Sequence, residues 1–333
     1  MLEIINNSNN PFFNLALEEY LVKNIALDSL FIIWQNSPVV VIGKNQNAFD
    51  EVNSEFLQAN NIDLVRRISG GGAVYHDLGN LNFTFVASDK RGVGFDFRPF
   101  TTLIIKTLDK IGIKAEHDGR NDITINGQKF SGNAQFRYGK KVMHHGTLLY
   151  DVNLKNMLQV LNVNPEKMGD KGIKSVYSRV TNISDHLKRK LDVEEFKALL
   201  VENLKTEINI KESIELSPDD LLQVTHLSNN KYKTWAWNYG KSPDYNIKRQ
   251  KRFPWGSIEI RLKVEEGIIK HCQIYGDFFA DKDISFLEKS FSGIKYKKSS
   301  FETLIKKINI YDYIPNANSE EILNFLIAEW ENV

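Results

Sequence analysis

The residues best suited to chemistry fall in four short stretches. The first is RRISGGGAVYHDLGNLNF (66–83), where Arg66 and Arg67 precede three successive glycines. Guanidinium forks match carboxylate and phosphate geometry, and glycine lets backbone N–H groups approach an anion because no Cβ intervenes. The stretch has neither the Gly-Lys-Ser/Thr of a P-loop nor GxGxxG. On its residues alone it reads as a plain turn or as an anion-binding loop. In the second, GRNDITINGQKFSGNAQ (119–135), Lys129 precedes the small residues Ser131-Gly132-Asn133-Ala134, and Asp122 is a capping carboxylate or a ligand for Mg²⁺ with nucleotide phosphates. In the third, HHGTLLYDV (144–152), adjacent histidines on a strand point to opposite faces, so they do not share one metal and read as core or hydrogen-bonding groups. The fourth, KMGDKGIKSVYSRVTN (167–182), offers Gly169 and Gly172 as hinges with the cations Lys167, Lys171, Lys174 and Arg179. It reads as a solvated basic loop or as a lid over an anionic intermediate.

The pattern around these stretches predicts the elements that position them. Asn10-Pro11 opens a helix with Phe13, Ala16, Leu17, Tyr20 and Leu21 on one face. FIIW (31–34), PVVVIG (38–43) and LNFTFVAS (81–88) read as strands, and a helix at 99–111 turns Ile104, Leu108 and Ile111 inward before Gly112. Asn126-Gly127 between alternating apolar residues marks a tight hairpin, which puts Lys129 near the start of a rigid return strand. Asp192 and Glu195 form a capping box, and Ser217-Pro218 opens another helix. Residues 240–254, with two prolines, a glycine and the basic run KRQKR, read as a linker. After it come a meander at 257–279 turning at Glu266-Gly267, a helix capped by Ser299 and Glu302, and a last helix from Ser319 to Trp330.

Composition narrows the function. The 333 residues suggest about two domains. The 43 Lys+Arg against 42 Asp+Glu give a net charge of +1, which argues against a nucleic-acid or membrane-surface protein. The single cysteine, Cys272, excludes an internal disulfide and a Cys-rich zinc site. The N-terminus lacks the basic and apolar regions of a signal peptide, and no apolar run reaches membrane-span length, so a cytoplasmic protein is expected.

RRxSGGGAVxHDxGN, GRNDxxxxxxKxSGxA, HHGTLL and KGIxSVxSRVTN, in this order, resemble lipoate–protein ligase A over most of residues 10–185, and WAWNYG (235–240) and RFPWG (252–256) extend the likeness. The resemblance implies an α+β fold. Residues 1–245 would form a large catalytic domain of the biotin/lipoate ligase type, with a mixed or antiparallel sheet and flanking helices. Residues 246–333 would form a small α+β accessory domain. It implies a ligase that activates lipoate with MgATP to lipoyl-AMP and passes the acyl group to a lysine of an apo-lipoyl domain. The acceptor would be an acyltransferase subunit of a 2-oxo-acid dehydrogenase or a glycine-cleavage H-type protein, and the enzyme a monomer.

Carried over by position, the resemblance makes Lys129 the catalytic lysine. It makes Arg67, Ser69, Gly71, Gly72, Ala73, Val74, Tyr75, Asn121, Asp122, Lys171 and Gly172 partners of ATP or the adenylate, with Asp122 beside Mg²⁺. It makes Leu17, Trp34, Arg67, Gly72, Lys129, His145, Gly146 and Thr147 lipoate contacts. Gln128 and Phe130 differ in detail from other members. An ATP-independent lipoyl or octanoyl transferase needs a cysteine nucleophile, and Cys272 lies far from the glycine loop in sequence. A non-catalytic lipoyl-binding regulator would be expected to have lost Lys129 or the 167–182 segment. A biotin ligase is disfavoured because RRISGGG stands where its GRGRxG-type loop would be.

Overall fold

The computed structural model describes residues 1–25, 29–88, 96–119, 121–161, 179–208, 210, 212–239 and 246–328. The chain divides into two compact units. The first comprises Met1–Ile42, Ala48–Ile68 and Ala73–Asn238; the second comprises Gly43–Asn47, Ser69–Gly72 and Tyr239–Val333.

The first unit is built on an eight-stranded mixed sheet. In chain order its strands are β1 (Leu2–Ile4), β2 (Ser29–Gln35), β6 (Asn80–Ser88), β7 (Glu116–Asp118), β8 (Asp122–Ile125), β9 (Gln128–Tyr138), β10 (Lys141–Leu149) and β11 (Ser213–Ile214), arranged β11-β1-β2-β6-β10-β9-β8-β7. A second small sheet has the order β4-β3-β5, from β3 (Val39–Ile42), β4 (Asp63–Arg66) and β5 (Val74–His76). The helices are α1 (Pro11–Asn24), α2 (Ala48–Glu51), α3 (Ser54–Ala59), α4 (Arg98–Lys110), α5 (Leu154–Val160), α6 (Val193–Glu207), α7 (Pro218–Leu227) and α8 (Trp235–Asn238).

Helix α1 starts where the sequence signals it. The Asn10 side chain accepts from the N–H groups of Phe12 and Phe13 at 3.0 and 3.1 Å, with Pro11 in the first turn. Its Leu15, Leu17 and Leu21 join Ile32, Trp34, Val86 and Met143 in one buried cluster. Burial of this apolar surface is the main drive holding α1 to the sheet. Asp192 and Glu195 cap α6 reciprocally, and Ser217 caps α7, as expected. The Asn126-Gly127 turn has φ of 52° and 75° at its two residues, the left-handed pair that a two-residue hairpin requires.

The second unit has its own core under the antiparallel sheet β12 (Ile247–Phe253), β13 (Gly256–Glu265) and β14 (Ile268–Gly276), with helices α9 (Ile284–Phe291), α10 (Lys298–Lys307) and α11 (Ser319–Ile327). Glu266-Gly267 makes the expected turn.

Two expectations fail in this unit. Much of the linker expected at 240–254 is strand β12. Its basic run pairs with β13, and Arg249 is buried with its guanidinium donating to Tyr296 Oη at 2.9 Å. Charge misled the reading, since an edge strand tolerates cations on its solvent face and alternation was masked by them. Helix α10 begins at Lys298 after Lys297, with no side-chain cap, so Ser299 and Glu302 do not cap it. Among the described residues no helix is long and apolar enough to cross a membrane.

Candidate active site

One face of the large sheet gathers Trp34, Asp122, Lys129, His145 and Thr147. Strand register fixes which side chains share it: Trp34 lies opposite Asn82, Ile32 opposite Thr84, Thr84 opposite His145, and Asn82 opposite Thr147. Leu17 and Glu18 of α1 are buried beside this face. At its far end β8 and β9 carry Asp122 and Lys129.

A bulge puts Lys129 on this face. Thr124 pairs with Lys129 and Ile123 with Ser131, so Phe130 is an extra residue in β9. Without it, Lys129 and Gly132 would face opposite ways, because side chains alternate along a strand. With it, Lys129 joins Asp122, Thr124 and Gly132, while Phe130 is fully buried. Lys129 Nζ lies 2.8 Å from Asp122 Oδ1. A Cβ on Gly132 would sit 3.1 Å from Nζ, so the glycine leaves room for the ammonium group. Gly132 N–H donates to Thr147 Oγ1 at 3.1 Å, just where the β9–β10 ladder ends at Asn133–Gly146.

The segment from Arg179 onward is laid against the same strand. Lys129 N–H donates to Arg179 O at 2.7 Å and Thr181 N–H to Lys129 O at 3.0 Å. Asn182 then holds both backbone groups of Val152 at 3.0 Å each. Residues 167–178 of the expected lid, including Lys167, Gly169, Lys171, Gly172 and Lys174, lie outside the described residues.

Toward Trp34 the face is buried and its polar groups are chained. Trp34 Nε1–H donates to Thr84 Oγ1 at 2.8 Å, Thr84 Oγ1–H donates to Glu18 Oε1 at 2.5 Å, and His145 Nδ1 meets the same oxygen at 2.8 Å. Arg67 is buried, donates to Val41 O at 3.2 Å, and has its guanidinium pushed down to about 10 by burial, opposed by the Glu18 carboxylate. Burial, with the Arg67 and His145 charges adding, pulls His76 down to about 3. Val74 and Tyr75 lie on β5 against β3, and burial raises the Tyr75 phenol. Arg66 is tied elsewhere, donating from Nε to Trp237 O at 3.0 Å and from Nη2 to Asn238 O at 2.8 Å.

On the reverse face stand Asn133, His144 and Gly146. Asn121 Nδ2 donates to Asn133 O, and Asn133 N–H and Nδ2 donate back to Asn121 O at 2.9 and 3.0 Å. Gly146 has no room for a Cβ, which would run into Asn133 Oδ1 and the Phe83 ring. His144 and His145 therefore do divide between the faces, and His144 is held neutral, its pKa pulled well below the ordinary value by burial and by His145. Among the described residues no three His, Cys, Asp or Glu gather as a metal site.

The glycine triplet belongs to the second unit, with Gly43–Asn47. A Cβ on Gly70 would run into Phe278 O, and Gly71 has a φ of 94°, whereas Gly72 opens on free space. Ser69 is buried and its carbonyl accepts from Lys44 N–H at 2.8 Å. Two of the three glycines are thus required by the loop itself. Cys272 is buried in the core of this unit, and burial raises its thiol well above the ordinary value, the opposite of what an attacking thiolate needs.

The sequence reading missed Thr84 and Asn82 on this face, and Glu18 and His76 beside it. Their one signal was placement: an acid beside Leu17 on the apolar side of a helix, and polar residues inside an apolar strand.

An α+β unit whose mixed sheet carries a lysine–carboxylate pair, together with a second unit built on a small antiparallel sheet, is the architecture of a lipoyl-type ligase. The chain belongs to the lipoate–protein ligase family. The model of the lipoyl protein ligase A/B catalytic domain matches residues 10–205, and that of the bacterial lipoate protein ligase C-terminus matches 242–326. Lipoate–protein ligase 1 of Staphylococcus aureus is 41% identical over 322 residues, covering 96% of this chain and 98% of that one. A structure of P. falciparum LipL1 in complex with lipoate superposes with a TM-score of 0.77 at 28% identity, covering 100% of this chain and 99% of that one. A lipoate–protein ligase A bound with ATP gives 0.61 at 25% identity, covering 72% and 98%. The chain is accordingly an enzyme of the ligase class.

Proposed function

We propose that the protein is an ATP-dependent lipoate–protein ligase in which Lys129 is the catalytic residue. A lipoate carboxylate oxygen attacks the α-phosphorus of ATP, and the bond to pyrophosphate breaks with its electron pair, giving lipoyl-AMP. The ε-amine of an acceptor lysine then attacks the acyl carbon, the bond to AMP breaks, and the amine gives up its proton as the amide forms. Both steps load negative charge onto oxygens. A fixed ammonium at the meeting point of acyl and phosphate supplies the electrostatic stabilisation such charge needs.

The observation that carries this reading is the bulge at Phe130, which turns Lys129 onto the face that also bears Thr147, His145 and Trp34. In the proposal the acyl chain lies in the buried slot between Leu17, Trp34 and His145, with Thr147 beside its head and Gly146 thinning the strand behind it. Arg67, with Ser69, Gly71, Gly72, Ala73, Val74 and Tyr75, receives the nucleotide and the acyl head, as do Lys171 and Gly172. Asn121 braces the strand next to the phosphates.

Asp122 is one carboxylate, already paired with Lys129. A single carboxylate fits Mg²⁺ that arrives on nucleotide phosphates, as this ion keeps several non-protein ligands. When bound, the ion would neutralise phosphate charge. The relative crystallised with ATP supports nucleotide use, and the relative crystallised with lipoate supports the acid.

In this reading residues 1–245 carry catalysis and 246–333 are accessory. The enzyme acts as a cytoplasmic monomer on apo-lipoyl domains of acyltransferase subunits or H-type proteins. An ATP-independent transferase is the weaker reading, because Cys272 is buried with a raised pKa. The test incubates the protein with lipoate and a panel of apo-lipoyl domains, with and without MgATP, and reads acceptor mass. Acyl transfer only with MgATP is expected; transfer from a lipoyl donor without ATP would overturn the reading.

A further inference from the structure

We infer that Asn82 and His76 are specificity-determining residues that favour lipoate over a plain eight-carbon acid by donating to the dithiolane sulfurs; this rests on the function proposed above. Nearly every polar group near Trp34 has a partner: the indole N–H goes to Thr84, and Thr84 and His145 both go to Glu18. Two donors do not. Among the described residues, Asn82 Nδ2 and His76 Nε2 are buried without a hydrogen-bond partner, in side chains only 2% and 3% exposed.

Neighbours set the roles, firmly at His76 and through one amide pair at Asn82. Asn80 Nδ2 donates to Asn82 Oδ1 at 3.0 Å, which leaves the Asn82 amide N–H groups pointing elsewhere, and Asn80 Oδ1 is likewise buried without a partner among the described residues. Asn14 Nδ2 donates to Asn36 Oδ1 at 2.9 Å, so Asn36 presents its own Nδ2 to His76 Nδ1 at 3.1 Å. Nδ1 of a neutral His76 is then the acceptor, and the proton sits on Nε2. A buried donor left unmade carries a real free-energy cost, so the two invite an acceptor that enters from outside the chain.

Their position says which part of the substrate supplies it. Asn82 lies directly opposite Trp34 on β2 and opposite Thr147 on β10, on the face that carries Lys129. The His76 ring meets the Trp34 ring edge-on at a centroid distance of 6.4 Å. From Gly132 beside Lys129 to Asn82 is two strand spacings, roughly 10 Å. With the carboxyl held at Lys129, an extended acyl chain brings its far end to Asn82 and Trp34. Lipoate carries two sulfurs there, which are weak acceptors with lone pairs to offer. Octanoate carries only methylenes and a methyl group, and its entry leaves both donors buried and unpaired.

The experiment is titration calorimetry of the full-length protein with (R)-lipoate and with octanoate, without ATP, for the wild type, Asn82→Leu and His76→Phe. The wild type is expected to bind lipoate about tenfold more tightly than octanoate. Each substitution is expected to reduce that ratio to about threefold or less, by weakening lipoate while sparing or improving octanoate. If both variants lose affinity for the two acids equally, the donors serve a trapped water or the fold, and the inference is overturned. Should Asn82→Leu fail to fold, His76→Phe decides alone. A wild type that binds both acids equally overturns this inference only; one that binds neither overturns the proposed function.

Discussion

Gly132→Ala separates placement of the lysine from stability of the fold. The new methyl group would lie 3.1 Å from Lys129 Nζ and 3.2 Å from Cε. Ordinary carbon contacts lie at about 3.5–4.0 Å, so the head of the lysine must retreat by roughly half an ångström. The obstacle is the end of a flexible side chain, and Gly132 does not have a positive φ. The backbone therefore gains from alanine by about 0.4–1 kcal/mol through a less disordered unfolded chain. Catalysis suffers instead: a misplacement of about 1 Å can cost ~10²-fold, so half of that predicts about a tenfold fall in kcat. Pyrophosphate release under saturating lipoate and MgATP measures the rate, and urea unfolding measures stability. Full activity in a normally stable Gly132→Ala would refute the placement of Lys129 at the reacting atoms. An activity loss matched by lost stability would refute the claim that only the side chain moves.

Lys129→Ala should lower pyrophosphate release by ~10²–10³-fold with little change in the urea midpoint, since a half-exposed ion pair contributes little to stability; wild-type release would remove the lysine from the mechanism. Gly146→Ala should destabilise by about 3 kcal/mol in urea, because its Cβ meets Asn133 and Phe83 inside a packed sheet, and an unchanged midpoint would contradict the close packing. His76 has a folded pKa of about 3, below the unfolded 6.5, so its neutral form stabilises the fold above pH 6.5 and that contribution is lost as pH falls toward 3. At pH 5 the loss relative to pH 7 is about 2 kcal/mol; His76→Gln should flatten the pH dependence by that amount, and coincident slopes would show that burial of His76 is incomplete. Cys272→Ala should leave acyl transfer intact, and a folded but inactive variant would restore the thioester route.

Where local pattern determined structure, the sequence was readable. Asn10-Pro11, Asn126-Gly127 and the Asp192–Glu195 box each act within a few residues, and each did what its chemistry demands. The family motifs marked Lys129, His145 and Thr147, which the sheet register brings onto one face. The bulge at Phe130 was not readable. Simple alternation from Lys129 would have placed Gly132 on the other face, and only cross-strand pairing reveals the extra residue. Nor were Glu18 and Asn82, whose importance depends on partners tens of residues away in the chain. In 247–253 a run of cations hid a strand, because edge position excuses charge that a central strand would exclude. Within the glycine triplet the letters do not separate the roles: Gly70 answers to packing against Phe278 and Gly71 to its φ, while Gly72 has open space.

The paired histidines explain how a strand with a bulge keeps its register. A strand slips easily when only an apolar pattern holds it, and a one-residue slip would turn Lys129 away from the face. Behind the sheet, Gln135 Nε2 donates to His144 Nδ1 at 3.0 Å, which sets the tautomer, and His144 Nε2–H donates to Asn133 Oδ1 at 3.1 Å. Phe83, Phe97 and Phe100 surround the ring at centroid distances of 5.9, 5.6 and 4.7 Å and keep it dry and neutral. Asn133 in turn clasps Asn121 at the end of β8. Each bond in this network is specific to one register, and a slip would strand several buried polar groups at once, a cost that apolar repacking does not offset. His145, one residue on, faces the opposite side of the sheet and joins Glu18. Two adjacent histidines thus do different jobs because a strand shows them to opposite faces: one locks the register that aims Lys129, and the other completes the wall along which the acyl chain is proposed to lie.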